Sequence, residues 1–133
     1  MTGPNRRLDG RSLTLTSDGG QGARVARFVS AASNNATVIK SSTGRVLGVS
    51  VNNTNAAARY LKFYDKTGTP APATDNFLLL LVIPLAPSSA VNIAFPGGIK
   101  FATGIGVALV TGISDTDNTS VAANEHSVNV IYD

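Results

Sequence analysis

Short apolar–polar alternations, separated by clusters of turn residues, recur along most of this chain and limit the folds available to it. A period of two places successive side chains on opposite faces of a β-strand. The clearest case is segment 45–52, in which Leu47, Val49 and Val51 share one face. By the same alternation we predict that Leu61 and Phe63 point inward and that Val128 and Val130 share one face. About eight such segments follow Ala23, with turn signals every eight to twelve residues. This spacing is typical of a β-sandwich or barrel.

The order of strands and connections favours an antiparallel sandwich. The predicted strands are residues 24–29, 36–40, 45–52, 58–64, 77–83, 90–95, 99–102, 104–113 and 126–132. A turn at 41–44 predicts a hairpin between two of them, and the continuous apolar run 77–83 predicts a strand covered on both faces. Long connections at 65–76 and 114–124 favour Greek-key crossings over a simple meander.

Residues 1–22 differ from the rest of the chain in composition and charge. Glycines and a proline interrupt this segment, which contains Arg6, Arg7 and Arg11. Residues 1–33 carry five cations against two anions, whereas residues 34–133 carry six of each. We predict an extended basic N-terminal arm over residues 1–22 that orders on a neighbouring subunit, followed by one β-sandwich domain over residues 23–133. A disordered tail is the alternative for the arm.

Residues that commonly carry chemistry are scarce. The sequence has no cysteine and a single histidine, His126, whereas zinc sites usually draw several ligands from Cys and His. No nucleophile–base pair or acid–base pair stands out, so we predict no catalytic residue, no metal, no cofactor and no enzyme activity. Segment 115–118 resembles half of a calcium loop, but its other ligands are missing, and we interpret it as a polar turn. The longest apolar run, 77–85, is interrupted by Pro84 and is far shorter than the roughly 20 residues of a membrane span.

The composition favours a surface that other polypeptides cover. Charged residues are 14% of the chain, against about a quarter in typical domains. Few ions would therefore have to lose water in an interface. In segment 104–113, Gly104, Gly106 and Ala108 share one face, and this lack of side-chain bulk predicts close packing there. Tyr60 and Tyr64 share one strand face with Lys62 and are candidate interface aromatics. A platform for sugars or bases is an alternative use of these residues, and the weak overall charge argues against nucleic acid.

From about residue 35 to residue 133 the chain resembles a family of small structural proteins of tailed-phage virions. The resemblance is carried by segments 35–40, 44–53, 54–65, 98–104, 115–119 and 123–124. It spans roughly three-quarters of the chain and is a pattern of strands and turns, not a catalytic signature. Family members resemble β-sandwich proteins encoded among head and tail genes, and some capsid decoration or cement proteins of this kind have a jelly-roll body.

The resemblance implies a jelly-roll-like protein that binds the outside of a phage capsid and stabilises junctions between subunits of the major capsid protein. It further implies assembly in the host cytoplasm and a closed homo-oligomer, either a dimer or a trimer. In this interpretation Arg6, Arg7 and Arg11 contact a neighbouring subunit. Two alternatives stay open: a tail, neck or fibre-associated virion protein, and a carbohydrate-binding receptor module that uses the tyrosines and long loops.

Overall fold

Two four-stranded antiparallel sheets face each other around an aliphatic core. The computed structural model describes residues 22–133, and eight strands lie in this range. They are β1 (Arg24–Val29), β2 (Thr37–Lys40), β3 (Gly44–Asn53), β4 (Arg59–Asp65), β5 (Leu79–Leu85), β6 (Ser89–Phe101), β7 (Ile105–Val110) and β8 (His126–Tyr132). A turn of 3-10 helix, Asn76–Leu78, precedes β5. The predicted all-β sandwich is confirmed, and the predicted arm with Arg6, Arg7 and Arg11 lies outside the described residues.

The strand order is that of a jelly roll. Sheet A has the order β1-β8-β3-β6, and sheet B has the order β2-β7-β4-β5. Among the described strands, only β4 and β5 are both consecutive in sequence and adjacent in one sheet. Every other connection crosses from one sheet to the other, so strands distant in sequence pair within each sheet. Eight strands connected in this way are the jelly-roll arrangement, which the sequence resemblance implied.

The core lies between the sheets and is formed by alternate residues of the central strands. Leu61 and Phe63 of β4 are 0% exposed, as their predicted inward face requires. Val128 and Val130 of β8 are also 0% exposed and share one face, as predicted. The rest of the buried cluster is mainly valine, leucine and isoleucine from β3, β5 and β7. Burial of such side chains contributes about 1.5–3 kcal/mol each, which makes the alternation the main determinant of the fold.

Two sequence predictions about neighbouring strands are wrong. The turn at 41–44 connects β2 and β3, but these strands lie in different sheets and form no hairpin. The apolar run 77–83 is not covered on both faces, because it divides into the 3-10 turn and the edge strand β5. Leu80 in this strand is 43% exposed. The edge position also explains Pro84 within β5, since an edge strand pairs on one side only.

β6 is one long bulged strand where the sequence predicted two strands and a turn. Its pairing with β3 shifts between Val46↔Ile99 and Gly48↔Ala94, so residues 95–98 bulge opposite a single residue, Leu47. Gly97 and Gly98 have φ angles of 79° and 80°, which glycine adopts readily and other residues rarely do. The residues that the sequence predicted as a turn, 96–98, therefore belong to a large irregular bulge inside one strand.

Candidate protein interface

Loop 66–76 covers part of the outer face of sheet B. A Cβ atom built on Gly106 would lie 2.6 Å from Cγ of Pro70, and one built on Gly104 would lie 2.6 Å from the carbonyl oxygen of Lys66. Only strand residues without side-chain bulk permit this approach. The predicted close packing on this face is confirmed, and the packing partner is the chain's own loop.

Tyr64, one of the two predicted interface aromatics, is enclosed beside this loop. It is 0% exposed, and its hydroxyl group has no hydrogen-bond partner among residues 22–133. Burial, together with the nearby carboxylate of Asp75, raises the pKa of Tyr64 to about 12. Tyr64 is therefore not accessible to a partner, whereas Tyr60 on the same strand face is half-buried.

Lys62, between the two tyrosines, is held by the second long loop. It is 0% exposed, and its Nζ atom donates a hydrogen bond of 2.5 Å to the carbonyl oxygen of Ser114. Burial lowers the pKa of Lys62, while the carboxylates of Asp115 and Asp117 oppose this shift. The predicted grouping of Lys62 with Tyr60 and Tyr64 on one face is correct, but this lysine is engaged inside the protein.

Segment 115–118 is a hydrogen-bonded polar turn. The backbone N–H of Asp117 donates to the carbonyl oxygen of Ser114 at 2.9 Å, and Oδ1 of Asp117 accepts the N–H of Thr119 at 3.0 Å. Oδ1 of Asn118 accepts a hydrogen bond of 2.6 Å from Nδ2 of Asn34. In the described part of the chain, no three His, Asp or Glu side chains group together as a potential metal site.

His126 is buried at the end of the core beside an ion pair. Its side chain is 0% exposed, and neither ring nitrogen has a hydrogen-bond partner within residues 22–133. Oε2 of Glu125 lies 3.0 Å from Nε of Arg59 and 3.9 Å from Nε2 of His126. Glu125 and His126 are neighbours in sequence, but Glu125 precedes β8 and does not follow its alternation, so its carboxylate lies near the ring of His126. Burial lowers the pKa of His126, partly opposed by Glu125.

Three exposed apolar side chains belong to segments at or near the edge strand β5. Phe77, in the 3-10 turn before β5, is 78% exposed, Leu80 in β5 is 43% exposed, and Ile113 is 69% exposed. Val82 of β5 is half-buried and is the register partner of Lys62, whose hydrogen bond to Ser114 holds the residue next to Ile113 near this strand. Phe77, Leu80, Ile113 and the half-buried Val82 are termed the β5 patch. Exposed apolar residues that gather in one region, unlike scattered ones, mark interaction surfaces.

The β5 patch has only a weak signal in the sequence. A continuous apolar run predicts burial on both faces, which places Phe77 and Leu80 in the interior. The signal that could have located them is Pro84, since a proline inside a strand marks a sheet edge. Ile113 carried no comparable signal, because its position depends on how loop 111–125 folds over β4.

The fold and the β5 patch define a class of protein: an eight-stranded jelly-roll sandwich with exposed apolar side chains near one sheet edge. No protein-family model matches this chain, and comparisons with curated proteins and with solved structures found no match. The resemblance to phage virion proteins therefore stays a prediction. No helix in residues 22–133 has the length and apolar character needed to cross a membrane.

Proposed function

We propose that this protein is a non-enzymatic virion structural protein that binds the outside of a phage capsid and stabilises junctions between major capsid subunits. The observation that supports an assembly function is the β5 patch, above all Phe77 with 78% of its surface exposed. The placement in a virion is supported by the sequence resemblance over residues 35–133.

The β5 patch has the chemistry of a protein interface. Aromatic residues are enriched where partners bury surface, and a few such side chains dominate the binding free energy. Complete burial of an exposed phenylalanine contributes about 1.5–3 kcal/mol. In a dimer or trimer, several patches act together, because each bound patch raises the effective concentration of the next. A cement protein of this kind strengthens a capsid by connecting subunits that would otherwise separate under load.

The arm supplies a second contact in this proposal. An extended chain covers at most about 3.5 Å per residue, so Arg11 lies within about 40 Å of Gly22. This distance is enough to reach a neighbouring subunit and bind it by salt contacts or by strand addition. The arm and the β5 patch would then hold different subunits of the shell.

The proposal is tested on capsids assembled without this protein. The wild-type chain should bind them with saturating, high copy number, and Phe77→Ser should weaken binding by about tenfold. Val25→Ser is the matched control, because Val25 is 61% exposed but lies on β1 of the other sheet. Equal binding by the two variants would reject the β5 patch as the capsid contact.

The position of the protein in an intact-particle density map separates the remaining alternatives. Many copies on the shell exterior support decoration, whereas a few copies at one vertex indicate a tail or neck protein. Absence from particles would reject the virion assignment altogether. The carbohydrate-binding alternative has less support, because Tyr64 is enclosed by the chain's own loop.

A further inference from the structure

A concave basic surface lies at one end of the sandwich, where β1 begins and β2 and β8 end. A cavity of about 540 Å³ at this end is lined by Gly22, Arg24, Ile39, Lys40, Ser41, Tyr132 and Asp133. An adjoining cavity of about 270 Å³ shares Lys40 and Asp133 and adds Arg45 and Lys100. The five charged residues are termed the basic end: Arg24, Lys40, Arg45, Lys100 and Asp133. Four cations therefore surround one carboxylate in a concave site of ligand-binding size.

The one carboxylate side chain of the basic end, that of Asp133, already forms an ion pair with Arg45. Nε and Nη2 of Arg45 lie 3.3 Å and 2.7 Å from the two carboxylate oxygens of Asp133. Within residues 22–133, Lys40 and Lys100 have no carboxylate oxygen within 4.0 Å. The positive charge of these two lysines is thus available to an anion from outside.

Four cations of residues 22–133 lie outside the basic end, and the protein itself compensates three of them. Arg59 pairs with Glu125 at 3.0 Å, and Lys66 pairs with Asp75 at 2.5 Å. Lys62 is buried close to two aspartates of its covering loop. The fourth, Arg27, is a single exposed cation on β1, whereas the basic end brings several cations together.

Lys40 is the best-placed of these cations. It is half-buried, and its side chain packs so close to Gly44 that a Cβ there would lie 2.9 Å from Cδ of Lys40. The ammonium group is consequently held at the cavity by a constrained stem. An anion beside this ammonium group is in a region of lower effective dielectric constant than bulk water, which strengthens the attraction between the two charges.

We propose that the basic end binds an acidic segment of a partner polypeptide, with Asp or Glu side chains placed against Lys40 and Lys100. A protein segment fits better than nucleic acid, because duplex DNA brings about one negative charge per 1.7 Å and would crowd the carboxylate of Asp133. The site is separate from the β5 patch, since β2 and β5 are opposite edges of sheet B. Binding of an acidic segment at the basic end would not require a capsid, and is therefore independent of the proposed function.

The test measures binding of a fluorescent octaglutamate peptide to the full chain at low salt by fluorescence anisotropy. Lys40→Gln and Lys100→Gln should each weaken binding by about two- to fivefold, the range of single exposed ion pairs. Lys40→Arg should retain binding, because it keeps the charge. Arg27→Gln is the matched control: it removes one exposed cation from β1 that lines neither cavity, and should leave binding unchanged. Binding should fall as salt rises.

Three outcomes would overturn the proposal. The first is equal binding of octaglutamine and octaglutamate, because the uncharged peptide should bind more weakly. Equal loss in Arg27→Gln and Lys40→Gln is the second, because it would show a response to net charge alone. Tighter binding of a short oligothymidylate than of octaglutamate at the same salt is the third, and would reassign the surface to nucleic acid. Circular dichroism of each variant checks that the sandwich is intact.

Discussion

At the scale of single residues, protonation of the buried His126 ring makes the stability of the folded protein depend on pH. The neutral ring fits a site where neither nitrogen has a hydrogen-bond partner among the described residues. A protonated ring would be buried there with Arg59 nearby, and only Glu125 to offset its charge. Burial therefore lowers the pKa of His126 in the folded state, so below the unfolded value of about 6.5 the unfolded chain binds more protons.

This difference predicts a loss of stability in mild acid. The free energy of unfolding should not depend on His126 above about pH 6.5, and should fall by at most about 1.4 kcal/mol per pH unit as pH drops from there towards the lowered pKa. His126→Leu removes this dependence, since leucine does not titrate. Urea unfolding of the wild-type protein and of His126→Leu between pH 5 and pH 7.5 measures this difference. The pH dependence that the carboxylates cause is common to both proteins and cancels in the comparison. Parallel curves for the two proteins would contradict the assignment.

At the scale of elements, Gly106 of β7 and Gly104 just before it allow loop 66–76 to lie against sheet B. Gly106 faces Pro70, whose ring is rigid and cannot move away as a flexible side chain would. The loop in turn encloses Tyr64, and its Asp75 accepts a hydrogen bond from Nζ of Lys66 at 2.5 Å. The small size of one strand residue thus determines how an eleven-residue loop packs.

Gly106→Ala should therefore destabilise the protein by about 1–3 kcal/mol, the usual effect of overpacking. Gly68→Ala in the covering loop is the matched control. A Cβ there would meet nothing closer than 3.8 Å, so its effect should stay within about 0.5 kcal/mol. Chemical denaturation of both variants measures the difference. A stability of Gly106→Ala equal to that of Gly68→Ala would show that the loop yields without strain.

At the scale of the whole molecule, residues 22–133 by themselves form two four-stranded sheets with a buried core between them. The core cluster and the strand pairs described for this range join residues from Arg24 onward. Folding of the body and attachment to a partner should accordingly be separable properties of this chain.

Deleting residues 1–22 should leave the β-sheet circular dichroism spectrum in place while weakening capsid binding. A full-length variant with Arg6, Arg7 and Arg11 replaced by glutamine distinguishes salt contacts from strand addition, since only the former depend on these charges. Co-sedimentation with capsids lacking the protein measures both variants. Undiminished binding by the truncated chain would remove the arm from the proposed function.

Local sequence was sufficient to predict most strands and the faces of the central ones. The alternation around Leu61 and Phe63, and around Val128 and Val130, identified their buried sides, because a period of two is a property of the strand itself. The bulk-free face of β7 likewise predicted close packing before its partner was known. The scarcity of charge and of chemistry-bearing residues also follows from composition alone.

Tertiary structure decided which strands pair and which apolar residues stay exposed. The pairing of β3 with β8, the edge position of β5 and the enclosure of Lys62 and Tyr64 all depend on segments far apart in the chain. Phe77 is exposed and Tyr64 is buried, although the sequence predicted the reverse for both. The physical reason is that alternation determines on which side of its strand a residue lies, whereas the sheets and loops that cover that side determine whether it meets solvent.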